Sequence, residues 1–522
     1  MKGKKLLSLL LAASLVTLVA CGGKDKVEKS GSKIKEGGTI VFAAGGDPRV
    51  LNPMYGNDRV TMTINNALYS PLFIKEDGKF KYYLGENLDI SKDFLTYTLK
   101  LKKDLKWHDG KPITSDDIVF TLDKIMDKSQ NSLLRGSFVI DGTPVEYKKV
   151  DDLTVEFKLP KVSMSFDSSL AGFSPIPKHI FEGETDIAKS KKNESPIGSG
   201  PYKFEGAKKG ESVTLAKNTD YFDEKPHIDK VVYRVLADAN SSNSALLNGE
   251  ISAKYLEPKD VDKFKEKTNV VTFNEGMVNN LIMNFNNDLL KKKEVRQAIA
   301  YALDKNEIIK GGYLSTEFAE PAYSAIAPTT QYYSSDVEKY DFNLDKAKEL
   351  MNKAGVKEGK LKLAFINGKK DQEAEALIMQ QKLKEIGLEI EFVPMERNAF
   401  YKLFDNPKEN KTFDLGFNGY VMGNDSNAYK SIFKSEDSNN MSNYVNKELD
   451  ELWEKANVET DEVKREALYK DIQKRVSDEL PIYPIAYPKS VVAIDKKIGG
   501  IEEAKPAPIF MFRDLSKLYF TE

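Results

Sequence analysis

Apolar and polar positions along this chain follow the strand period in some stretches and the helix period in others. Residues 39–44 (TIVFAA) form a short apolar run that predicts a buried strand, broken by Gly45-Gly46-Asp47-Pro48 and a loop through Leu51-Asn52-Pro53. Positions 97–101 alternate as a strand and run on to Trp107-His108-Asp109-Gly110-Lys111-Pro112, where Asp-Gly marks a turn. Thr114 with Asp117 three residues on predicts a capped helix start, with Ile118, Leu122 and Ile125 on one face. Residues 150–159 read as one strand, and 195–202, dense in Gly and Pro, as a crossing loop between domains. Strands are predicted at 212–215 and 230–236, and a helix through Val295, Ala298, Ile299, Ala302 and Leu303. Asn343 begins another helix that Gly355 can end. Leu361, Leu363 and Phe365 alternate; Ala376, Met379, Leu383 and Ile386 form a helical stripe stopped by Gly387; Leu388, Ile390 and Phe392 alternate again. Strand, helix and strand at this spacing is a βαβ crossover, which requires a parallel sheet with helices packed on it. A late helix carries Leu468, Ile472 and Val476. The class is α/β with mixed sheets and no internal repeat.

The N-terminal stretch has a different pattern. Lys2, Lys4 and Lys5 precede an apolar run over 6–20, and Leu18-Val19-Ala20-Cys21 closes it. A basic start, a short apolar core and small residues before the cut describe a secretory signal over 1–20. The run is too short for a membrane-spanning helix. Cys21, the single cysteine of the chain, stands at the processing site and resembles the acylated cysteine of a bacterial lipobox. The diacylglyceryl group this implies would anchor the protein stably by itself. Residues 21–36 (24–36 reading KDKVEKSGSKIKE) are polar and free of aromatics, as in a flexible tether with a reach of roughly 20 Å. The expected location is extracytoplasmic, at the outer face of the cell membrane.

Composition narrows the function classes. At 522 residues the chain exceeds one hydrophobic core, so two or three domains are expected. Lys plus Arg at 78 against Asp plus Glu at 80 gives no electrostatic case for nucleic acid. The three histidines, His108, His179 and His227, are far apart, and no pair has metal-ligand spacing. No GxSxG, P-loop or GxGxxG signature occurs, so neither a metal nor a cofactor is expected and the pattern favours binding over catalysis.

Several segments in chain order carry a family likeness. They are 38–42 with Asp47-Pro48 and Leu51-Asn52-Pro53; 107–112 with 117–121 (DIVFT); 196–202 (PIGSGPY); 218–222 (NTDYF); 295–299 (VRQAI); and Asn443-Tyr444. Each is weak alone, but the ordered set resembles the extracytoplasmic solute-binding proteins of peptide-type ABC importers (the oligopeptide- and dipeptide-binding class, solute-binding protein family 5). The resemblance implies a bilobed periplasmic-binding-protein-like fold of three regions. Lobe I would comprise 37–72, 197–287 and 490–522, an inserted extra domain 73–196, and lobe II 288–489, with two crossings forming a hinge. It implies a monomeric receptor for short peptides or a similar small solute, served by membrane permease subunits and separate ATPase chains. Other solutes in this fold would be a nickel chelate, an opine or a sugar; a surface enzyme or a signalling receptor are more distant alternatives.

In the peptide-binding members an aspartate after a Gly-Trp pair takes the ligand ammonium. The corresponding stretch here is 419–427 (GYVMGNDSN), with Tyr420 in place of the tryptophan and Gly423 where the aspartate would fall. Asp425, two residues later, is the candidate anchor, with Met422, Gly423 and Asn424 beside it. The resemblance also puts Asp47, Met54 and Tyr55 near the cleft mouth, Asn284, Phe285 and Asn286 at a chain crossing, and Phe173 in the cleft wall. Arg135 is the candidate for a ligand carboxylate. Trp107 to Pro112, with His108, reads as a structural turn, and the glycines of 198–201 as crossing-loop geometry.

Overall fold

The computed structural model describes residues 33–76, 78–403, 412–437 and 439–522; the expected signal segment and Cys21 lie outside the described residues. Strand Thr39–Ala44 forms where its apolar run predicts and lies between Lys230–Val235 and Ala253–Leu256, parallel to both. Antiparallel strands Tyr202–Lys208 and Ser212–Lys217 extend this half of the sheet outward. Strand Ile482–Asp495 continues it on the other side and leads into the second half, made of Met277–Met283, Leu415–Val421, Gly359–Ile366 and Leu388–Met395. One mixed sheet of twelve strands therefore runs through both lobes.

The crossings lie where pairing partners change along Ile482–Asp495. Strand Thr268–Asn274 pairs with its residues 489–495, and Met277–Met283 with 482–486. The first crossing is therefore Glu275-Gly276, earlier than the boundary after 287 that the resemblance implies, and Gly276 takes a positive φ of 68° there. Pro484 lacks a backbone donor, and the pairing shifts register beside it, between Asn279 and Asn280. Ala319–Pro321 adds a third strand at the return crossing, opposite 486–488. The expected tether also ends early. Ile34 and Lys35 pair with Thr521 and Phe520, a contact with the far end of the chain that no local pattern encodes.

Residues 85–158 form a separate four-stranded antiparallel sheet, yet its core is continuous with that of lobe I. The expected strand 150–159 is two strands, Glu146–Asp151 and Thr154–Lys158, because Asp151 Oδ1 accepts from Leu153 N and turns the chain. Thr114 and Asp117 form the reciprocal capping box at the start of helix Ser115–Met126, worth about 1 kcal/mol. In lobe II the βαβ unit is present as read: Gly359–Ile366 and Leu388–Met395 are parallel, joined by helix Lys370–Lys384, and Gly387 has φ 84°. Helices Lys293–Ala302, Lys305–Tyr313 and Leu344–Lys353 join it on one face, and Lys447–Val458 and Glu462–Glu479 cover the other. Among the described residues no helix is long and apolar enough to cross a membrane.

Glu375 of helix Lys370–Lys384 is only 4% exposed; burial, reinforced by Asp371, pushes its pKa up from 4.5 to about 8. The folded protein thus holds a proton that the unfolded chain releases near pH 4.5. Stability from this group is fullest below that value and falls as pH rises towards 8. Glu375→Gln is expected to raise the melting temperature at pH 8.5 and to change it little at pH 4.5. Equal shifts at both pH values in thermal denaturation would contradict the buried-carboxyl account.

Candidate binding site

Strand Leu415–Val421 pairs along its whole length with Met277–Met283 on one side. On the other side it meets Gly359–Ile366 only through Leu415 and Gly416, and then the two strands part. From Phe417 onward the outward backbone N–H and C=O groups have no strand partner among the described residues. Such an edge can hydrogen-bond another extended chain. Side chains alternate across it. Gly419 and Val421 are exposed on one face, while Asn418 and Tyr420, continued by Met422, face a cavity of about 160 Å³ with Asn280, Ile432 and Met441. Tyr420, expected as an aromatic wall, is half-buried and fixed by donating its hydroxyl to Ala325 O at 2.7 Å.

Beyond the strand, Gly423 adopts φ 76° and turns the chain. The turn is tied down from outside, since Thr330 Oγ1 donates to Gly423 O at 3.1 Å and Gln331 N to Asn424 O at 2.9 Å. Asp425 then caps the short helix Ser426–Tyr429, accepting from Asn427 N at 2.8 Å. Its carboxylate faces Ser168 of the inserted domain, near the ion pair of Lys75 with Asp167 at 2.9 Å. Burial holds its pKa above the ordinary carboxylate value, against the hydrogen bonds from Ser168 and Asn427. Among the described residues no cation lies within ion-pair distance of it.

Asp425 therefore sits in a seam between lobe II and the inserted domain. Asn427 Nδ2 donates to Ser165 Oγ at 3.2 Å, Met164 N to Asn457 O at 2.8 Å and Asn457 Nδ2 to Ser163 Oγ at 3.2 Å. These neutral bonds, with the Lys161–Glu454 ion pair at 4.0 Å, join the two regions through polar contacts. At the hinge, Arg59 reaches Glu275 Oε1 at 3.0 Å, Ser490 Oγ donates to the same carboxylate, and the Arg59 guanidinium lies 4.4 Å over the Tyr255 ring. Sequence reading missed this cluster because its members are remote along the chain.

Of the candidates in 420–425, Tyr420 and Met422 line the cavity, whereas Asp425 lies in the seam against Ser168; the other candidates are dispersed. Phe173 is core, edge-on to Phe138 at 5.8 Å, and Met54 is buried with its carbonyl accepting from Ser132. The Tyr55 hydroxyl donates to Gln130 Oε1 at 3.3 Å, and burial pushes its pKa up to about 12. Exposed Asp47 accepts from Gly210 N, and Arg135 donates to Met126 O at 3.4 Å. Asn284, Phe285 and Asn286 lie a strand's length beyond the crossing. Asn284 is buried and donates to Phe413 O at 3.0 Å, its Oδ1 accepts from Asn286 N, and the Arg296 guanidinium lies 4.4 Å over the Phe285 ring. These three shape a turn inside lobe II. Asn279 and Asn280 were the overlooked signal, a polar pair inside the apolar run 277–283.

Residues 79–440 match the family described as Bacterial extracellular solute-binding proteins, family 5 Middle. The chain is 31% identical over 535 residues to the oligopeptide-binding protein AppA of Bacillus subtilis, with 96% of each chain covered. The structure of the ABC transporter substrate-binding protein CtaP from Listeria monocytogenes is similar at a TM-score of 0.90 and 48% identity, covering 94% of this chain and 100% of that one. The Bacillus subtilis AppA structure in complex with a nonapeptide gives 0.76 and 28%, over 94% and 100%.

Proposed function

The chain belongs to family 5 of the bacterial extracellular solute-binding proteins, and from that membership we propose that it captures short peptides between its lobes for an ABC importer. The observation that carries this reading is the edge of Leu415–Val421 beyond Gly416, which has no strand partner among the described residues. A peptide offers a row of backbone donors and acceptors whatever its sequence, and a strand edge matches that row while leaving side chains to alternate outward. Asp425 is the anion for the peptide ammonium, since a partly buried carboxylate with no ion-pair partner among the described residues forms a charge-assisted pair with one. The oligopeptide-binding relative supports a peptide as the solute. Closure about the hinge would be favoured only by the difference in peptide affinity between the open and closed forms.

The test is mass spectrometry of ligand retained by gently purified protein. Recovery of peptides is the expected result; a metal chelate or a sugar in their place would overturn the substrate reading. Delivery would be to permease subunits with separate ATPase chains, by a monomer held at the outer face of the cell membrane through lipid on Cys21. Cys21→Ser is expected to move the protein from the membrane fraction to the medium, and retention equal to the parent would refute the lipid anchor.

A further inference from the structure

A peptide added to the free edge of Leu415–Val421 continues the pleat, so alternate side chains point to opposite faces of the sheet. On the face of Asn418, Tyr420 and Met422 they meet the cavity of about 160 Å³. An apolar cavity of roughly this size holds a benzene ring, so there is room for a large side chain.

The walls select among side chains. None of the described residues lining the cavity is charged, so a carboxylate or ammonium placed there would be desolvated without a counter-charge from them. Ile432, Met422 and Met441 give it an apolar body. Its buried donors are already committed: Tyr420 to Ala325 O, Asn418 Nδ2 to Met441 Sδ at 3.3 Å, and Ser442 to Asn440 Oδ1 at 2.9 Å. Asn280 differs. It is 1% exposed and donates through Nδ2 to Val278 O at 3.2 Å, while its Oδ1 accepts no hydrogen bond among the described residues. A buried acceptor left unmet is costly, and a ligand group that meets it recovers that cost.

We propose that this cavity is a side-chain subsite for an uncharged residue bearing a hydrogen-bond donor, such as tyrosine or glutamine, and that Asn280 Oδ1 is its selecting acceptor. The proposal rests on the peptide reading above. Its test is calorimetry of an alanine-based tetrapeptide set with Tyr, Phe, Gln or Glu placed at each position in turn. At one position Tyr should bind about tenfold or more tighter than Phe, and Gln than Glu. Asn280→Val should abolish the Tyr-over-Phe preference, with each peptide read as a ratio to the all-alanine peptide bound by the same variant. Because the preference is read first on the parent protein, misfolding of the variant does not mask the result. Peptides that bind with Tyr equal to Phe everywhere would overturn the subsite alone. No binding by any peptide would overturn the peptide reading and the subsite together.

Discussion

Asp425→Ala is expected to weaken binding of free-amine peptides by about 2 kcal/mol or more, the scale for removing one partner of a desolvated ion pair. The substitution removes two things: the charge facing the seam at Ser168 and the cap to Asn427 N. Asp425→Asn keeps an oxygen for the cap and removes only the charge, so it should lose nearly as much affinity while leaving the melting temperature unchanged. N-acetylated peptides should bind weakly to the parent and show no further loss in either variant. Burial holds the Asp425 pKa above the ordinary carboxylate value, so acidification should release peptide before exposed aspartates are protonated. Unchanged calorimetric affinity in both variants would place the anchor elsewhere.

Gly198→Ala or Gly200→Ala should cost more than about 3 kcal/mol, because a side-chain carbon there overlaps backbone rather than a movable side chain. At Gly198 it would fall on the Leu68 carbonyl, and at Gly200 on the carbonyls of Ala67 and Leu68. The closeness is required by the bonds made there, since Ser199 N and Gly200 N both donate to Leu68 O, at 2.9 and 2.8 Å. His108 completes the junction: Gly198 N donates to its Nδ1 at 3.1 Å, and its Nε2 bonds Gly200 O at 3.0 Å. Burial pushes this histidine down to about 4, so the ring stays neutral and can act as acceptor and donor together. Gly206→Ala, whose added carbon meets nothing within 4 Å, is the control. If all three variants melt like the parent in thermal denaturation, the steric account is wrong.

The parts of the fold that were legible were those encoded locally. The capping box at Thr114, the stop at Gly387 and the parallel pair flanking Lys370–Lys384 each follow from residues within one or two turns. The inter-lobe boundary was not, because the apolar run 277–283 reads as a strand whichever half of the sheet it joins. The pairing of Ile34 with Thr521 spans the whole described chain and leaves no trace in either segment. The same limit governed the site. The Gly-Asn-Asp turn after Tyr420 advertised itself, whereas Phe173 and Met54 sit beside Pro- or Gly-rich loops, where an apolar residue reads equally as cleft wall or core. Glu275 and Arg59 gave no signal, being ordinary charges until folding brings them together.

Strand Ile482–Asp495 belongs to both halves of the sheet. Cut at either crossing, each lobe would lose its share of that ribbon and bare a long run of unsatisfied backbone, an edge prone to aggregation. The two lobes are therefore poor candidates for expression as separate fragments. Opening and closing must also be absorbed as torsion at the crossings, Glu275-Gly276 and the middle of Ile482–Asp495, so the resting aperture would be tuned by substitutions at Gly276 and Pro488.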